Sequence, residues 1–170
     1  LELGGVGQVD LYETVINTIK SRFSWLLVNL LTAVVASVVI AFFQASIEKV
    51  VALAVLMPIV ASMGGNAGTQ TMTVAVRALA TKELTPTNAL KIVGKEIFVG
   101  SINGIIFAII IGVISTYWFN DSLLGIIIAL AMIFNLIIAG LVGIVIPITL
   151  NRMNIDPALA SGVLLTTITD

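Results

Sequence analysis

The residues best placed to do chemistry are Asn66 and Gln70, in the run Pro58-Ile59-Val60-Ala61-Ser62-Met63-Gly64-Gly65-Asn66-Ala67-Gly68-Thr69-Gln70. Side chains four apart share a helix face, so the two amide oxygens are expected to point the same way. Gly64 and Gly68 have the same spacing, which lets a second helix approach backbone to backbone. Pro58 deprives a carbonyl one turn earlier of its donor, and the glycines loosen the next turn. Such a segment presents carbonyl and amide oxygens, which are ligands for a hard cation. On spacing alone it serves tight helix packing with inter-helix hydrogen bonds equally well. The amides flanking Gly68, downstream of a proline, favour an ion path.

The second chemical candidate is Asp170. Asp156-Pro157 has the form of a helix start, with Asp at the N-cap and Pro at the first helical position. Capping accounts for Asp156 without any further role. From there Asp170 lies roughly 21 Å along the helix, inside a hydrocarbon core of roughly 30 Å. Thr166 and Thr169 are expected on its face, giving a polar stripe. An acid at that depth is a functional candidate by default. One carboxylate is a poor site for a divalent ion, whereas two copies across a two-fold axis supply a pair, so a homodimer is expected. A free terminus at mid-membrane would be unstable, so the fifth segment is expected to continue past Asp170.

The elements that must position these groups follow from composition. Of 170 residues 59% are apolar and 10% charged, with mean hydropathy +1.16. Four charge-free runs, Phe23–Ile47, Val50–Val76, Ile97–Asn120 and Ser122–Asn151, each exceed the roughly 20 residues a span needs. A fifth, Pro157–Thr169, is shorter. The fold class is therefore an all-α membrane protein with a five-helix transmembrane domain, its fifth helix truncated. Spans are expected near residues 24–43, 50–76, 97–118, 123–150 and 157–170. Residues 1–23 read as a Gly-rich linker followed by an amphipathic cytoplasmic helix, with Leu11, Val15, Ile19 and Phe23 on its apolar face. Residues 24–170 read as one transmembrane domain. Thr85-Pro86 reads as the N-cap and first position of the helix leading into the third span.

Charge sets the orientation. Of the eight basic residues, seven (Lys20, Arg22, Arg77, Lys82, Lys91, Lys95 and Arg152) fall on one side of these spans. The positive-inside rule makes that side, and the N-terminus, cytoplasmic. The localisation expected is the cell inner (plasma) membrane, multi-pass. Nucleic acid is excluded as a partner, since no basic patch is interleaved with aromatics. The chain has no cysteine and no histidine, so the usual nucleophile–base pairs are absent and the protein is expected not to be an enzyme.

The run from Met57-Pro58 through Gly64-Gly65-Asn66-Ala67-Gly68-Thr69-Gln70 to Arg77-Ala78-Leu79-Ala80 closely resembles the membrane domain of the MgtE magnesium channels. So do Asp156-Pro157-Ala158-Leu159 with Thr167 and Asp170 downstream, and Ser21-Arg22-Phe23-Ser24-Trp25-Leu26-Leu27 before the first span. The resemblance covers essentially the whole chain, and the eukaryotic solute-carrier magnesium transporters share it. It implies a dimer whose central pore is lined by segments two and five. It implies that Asp170 holds hydrated Mg2+, that Thr166 faces the same site, and that Gly65 and Gly68 offer backbone oxygens beside Asn66. Glu96 and Asp156 resemble acids near further ion sites at the cytoplasmic end. Gly162-Val163 stands where the family has an Asn-Pro pair, so no side-chain role carries over to Gly162. The family's cytoplasmic sensor, an acidic helical domain with paired CBS modules, has no counterpart in the sequence.

The expected function is a magnesium channel that moves the hydrated ion into the cytoplasm, with Mg2+ as transported ion and candidate regulator. The alternative is a coupled carrier such as a Na+/Mg2+ exchanger, because a broken second helix suits carriers as well.

Overall fold

The computed structural model describes residues 12–170, and among these every regular element is a helix. Residues 1–10, read as a linker, and Leu11 on the expected apolar face lie outside them. The helices are α1 (Val15–Ala41), α2 (Gln44–Lys49), α3 (Val51–Ala80), α4 (Ala89–Phe119), α5 (Ser122–Arg152) and α6 (Pro157–Thr169). Four of them, α1, α3, α4 and α5, are long and apolar enough to cross a membrane. Two features differ from expectation. The amphipathic segment and the first span form one continuous helix, α1, because nothing between Val15 and Ala41 breaks the backbone pattern. The connection after the first span contains a short helix, α2.

The chain turns at residues suited to leaving a helix. Lys82, Asn120 and Asn154 adopt left-handed φ of 58°, 52° and 59° just past the ends of α3, α4 and α5. After α3, the N–H groups of Glu83 and Leu84 both reach the Ala78 carbonyl, at 2.9 and 3.0 Å. After α5, Ile155 N–H reaches back to Leu150 at 2.9 Å. Such bonds satisfy carbonyls that a helix end leaves open. Asp121 caps α5, its Oδ1 accepting from Leu123 and Leu124 N–H at 2.9 and 3.2 Å. Asp156 caps α6 as the sequence predicts, accepting from Ala158 N–H at 2.9 Å.

The start of α4 corrects the Thr85-Pro86 reading. Residues 85–88 form a turn, and the helix begins at Ala89. The Thr85 hydroxyl is engaged with that of Thr87 at 2.8 Å rather than capping. The Asn88 side chain reaches backward to Thr85 N–H and the Glu83 carbonyl, each at 2.8 Å.

Glycines decide how the helices pack. Antiparallel α4 and α5 meet through Gly100, Gly104 and Gly112 on one side and Gly125 and Gly140 on the other. A Cβ on Gly100 would stand 2.9 Å from the Leu136 carbonyl oxygen, and one on Gly104 3.1 Å from Ile133 Cα. Without side chains these two backbones come close enough for dispersion contacts along most of their length, which drives association where lipid removes the hydrophobic term. Helix α3 runs parallel to α5. The core lies where α3, α4 and α5 meet, around Leu56, Ala108, Ile111, Leu124, Met132 and Leu136. Helix α6 docks on α5 and α3.

Helix α1 stands outside this unit and touches α6. It has no buried residue, and its half-buried positions (Thr18, Trp25, Asn29, Thr32, Ala36 and Ile40) form one stripe at helical spacing. The outward faces of α1 and α4 are exposed Val, Ile, Leu and Phe. An apolar surface of that extent is an ordinary exterior for a protein in lipid.

Candidate ion site and the contacts behind it

Helix α3 continues unbroken through Pro58, so the broken second helix expected from the proline and glycines is absent. What the sequence does instead is divide α3 into two faces. Pro58, Ser62, Asn66, Thr69 and Thr73 recur at spacings of four and three, and all five are exposed. Gly64 and Gly68 point the other way and are buried.

Each buried glycine makes room for one specific partner. The side-chain amide of Asn135, from α5, fills the space a Cβ on Gly64 would need. Its Nδ2 donates to the Val60 carbonyl at 2.6 Å. A Cβ on Gly68 would lie 2.6 Å from Leu165 Cδ1 of α6, and the Gly68 carbonyl oxygen is 2.7 Å from where a Cβ on Gly143 would stand. The Gly68 oxygen therefore lies against α5, inside the protomer. Gly65 has open space beside it, with nothing within 4 Å of a Cβ position. Its carbonyl accepts from the Thr69 hydroxyl at 2.7 Å, and the Thr69 carbonyl accepts from Thr73 at 2.8 Å.

The same back-bonding runs along α6. Thr166 donates to the carbonyls of Gly162 and Val163 at 3.1 and 3.2 Å, and Thr167 to Val163 at 2.7 Å. A hydroxyl whose proton is used this way offers its surroundings only lone pairs. Both helices thus present oxygens that accept and do not donate, which suits a cation or its water shell.

Asp170 is the exposed C-cap of α6, with its N–H on the Thr166 carbonyl at 3.0 Å. Thr169 does not share its face: it immediately precedes Asp170, is 5% exposed, and donates inward to the Leu165 carbonyl at 3.1 Å. Neighbouring residues on a helix are about 100° apart, and the i−3 position belongs to half-buried Thr167. Leu165 touches Gly68, and α6 is antiparallel to α3. Five residues further, roughly 7.5 Å, Asp170 comes abreast of the Met63–Gly65 turn of α3.

The other acids lie apart. Glu96 accepts from the Thr71 hydroxyl at 3.1 Å, at the edge of a groove of about 160 Å³ between α3 and α4 that Gln70 and Asn103 also line. Gln70 thus borders that groove, four residues from Asn66 on the same helix. Asp156 borders a cavity of about 330 Å³ with Asn151 and Ala80 at the other end of α3. Among the described residues no three His, Cys, Asp or Glu side chains gather into a metal cluster. Glu96, Asp156 and Asp170 are thus separate stations. Sequence reasoning missed Thr71, Asn103 and Asn135. The signal for the two asparagines was present, since both are amides inside charge-free runs, as Asn66 is.

The sequence profile of the MgtE family, described as a divalent cation transporter, matches residues 57–170. A magnesium transporter MgtE of Bacillus subtilis (strain 168) is 34% identical over 149 residues, covering 88% of this chain and 33% of the relative. Its counterpart in Enterococcus faecalis is 30% identical over 172 residues, covering 99% and 38%. That of Thermus thermophilus is 34% identical over 150 residues, covering 88% and 33%. The chain spans about a third of the length of the relatives it matches.

Proposed function

The chain belongs to the MgtE family of divalent cation transporters, and from that premise we propose that it is the membrane domain of a homodimeric magnesium channel. The observation that carries this reading is the exposed polar face of α3. Ser62, Asn66, Thr69 and Thr73 lie in a helix apolar enough to span a membrane, and they are exposed among the described residues. Polar groups left in hydrocarbon cost several kcal/mol, so the face requires water or a second copy. A two-fold axis beside α3 and α6 supplies both, with two Asp170 carboxylates across a wet path.

In this arrangement Asp170, Thr166, Asn66 and the backbone at Gly65 surround the ion, and Gly68 sets how closely α6 approaches. Asp156 and Glu96 serve the ion at the cytoplasmic end. Mg2+ is the transported substrate. It dehydrates reluctantly, so the site takes the ion with its waters, which the back-bonded hydroxyls and carboxylates hold through their lone pairs. Two carboxylates favour a divalent over a monovalent ion. With the N-terminus in the cytoplasm, the membrane potential drives inward flux with roughly 4.6 kcal/mol for two charges per 100 mV.

Crystals of the protein soaked in Mn2+ test the arrangement. Anomalous density on a two-fold axis between paired Asp170 side chains is expected. Density confined to other acids, or protomers packed with the α3 polar faces apart, would overturn it.

A further inference from the structure

Asn135 is the one polar side chain of α5 between Ser122 and Thr149, which places it near the middle of the span. An amide there is costly unless it is satisfied. Its Nδ2 lies 2.6 Å from the Val60 carbonyl of α3, and its amide packs on the bare face of Gly64. Within an α-helix the Val60 carbonyl is the acceptor for Gly64 N–H, so the side chain shares an acceptor that holds the helix together. The same stretch of α3 is weak on two further counts. Pro58 removes a donor one turn earlier, and Gly64-Gly65 places two residues of poor helix propensity in succession.

We propose that Asn135 is a positioning residue: its hydrogen bond to Val60 clamps the weak point of α3 against α5 and so holds the two halves of the polar face in line. This rests on the reading of that face as the ion path. Ser62 lies beside the clamp, Asn66 and Thr69 lie within two turns beyond it, and Asp170 stands abreast of it. Asn135 does not face the ion. Loss of its donor therefore alters how often or how fast the path conducts and leaves ion affinity unchanged.

The test is Mg2+ flux into liposomes carrying the full chain, normalised to folded protein and measured against Mg2+ concentration. Asn135→Leu keeps a branched side chain over Gly64, somewhat larger than the amide, and removes the donor. Its maximal flux is expected to fall roughly 3- to 20-fold, as for one hydrogen bond between membrane helices, at an unchanged half-saturating concentration. Gly64→Ala pushes the amide away and is expected to lower both flux and the yield of folded protein. Adding Asn135→Ala to it should restore the yield, because the clash is gone, and leave the flux low, because the clamp is gone. Flux per folded Asn135→Leu protein at or above the wild-type level overturns the proposal, as does a loss that only follows the folded yield. If Asp170→Asn abolishes flux and Asn135→Leu does not change it, the clamp fails while the ion path stands.

Discussion

Replacing Gly143 by alanine tests the packing that underlies the site. A Cβ at this position would stand 2.7 Å from the Gly68 carbonyl oxygen and 3.0 Å from Thr71 Cβ. An ordinary contact begins near 3.4 Å, so α5 and α3 must part by about 0.7 Å, and the nearest obstacle is backbone that no rotamer change can move. A gap of that size forfeits roughly a quarter to a half of the dispersion energy of the contacts it opens. Overpacking of this kind costs about 1–3 kcal/mol, offset by about 1 kcal/mol from alanine's better helix propensity. A net loss of up to about 2 kcal/mol corresponds to at most roughly 8 °C in melting temperature for a domain of this size. Gly65→Ala is the control, because nothing lies within 4 Å of its Cβ position. The assay is thermal unfolding of the purified protein in detergent. Gly143→Ala should melt lower and Gly65→Ala at or slightly above the wild-type temperature. Equal melting temperatures for the two variants would refute the steric reasoning.

Other outcomes follow from single contacts. The Ser115 hydroxyl is fully buried and has no hydrogen-bond partner among the described residues, so Ser115→Ala should leave the melting temperature unchanged or raise it, removing an unsatisfied group worth about 1–3 kcal/mol; a clear drop would mean the hydroxyl is paired. Asp156 caps α6 with one carboxylate oxygen, so Asp156→Ala should lose about 1 kcal/mol of stability while Asp156→Asn retains it. If Asp156 also serves the ion, Asp156→Asn still lowers Mg2+ flux; unchanged flux would confine the residue to capping.

Much of the fold was legible because a membrane leaves few alternatives. Charge-free runs can only be spans or buried helices, and three of the four long runs nearly coincide with one long helix, while Phe23–Ile47 runs past the end of α1 into α2. The Asp156-Pro157 start was legible for a local reason, since cap and proline act within one turn. Three errors share a cause in backbone chemistry. Pro58 was read as a break, yet α3 runs through it without interruption. Thr85 was read as a cap, yet its hydroxyl found Thr87 first. The amphipathic stretch before Phe23 was set apart from the first span, yet helix propensity carries α1 through both.

The candidate site was legible as a set of residue types and not as an arrangement. Helical spacing put Gly64 with Gly68, and both are buried in α3. It could not say that Asn135 would take the space over Gly64, because the hydrogen bond that seats it there, to Val60, joins residues 75 positions apart. It also paired Gln70 with Asn66, without foreseeing that Gln70 borders the groove that Glu96 lines.

The central claim is that the polar face of α3 and the carboxylate of Asp170 carry magnesium across the membrane. Its most direct test is voltage-driven Mg2+ uptake into liposomes with no sodium or other counter-ion gradient, comparing wild type with Asp170→Asn. The account predicts uptake by the wild-type protein and its loss in the variant, which keeps the side-chain shape and removes the charge. Wild-type uptake that requires a counter-ion gradient would contradict the channel, and undiminished uptake by Asp170→Asn would contradict the site.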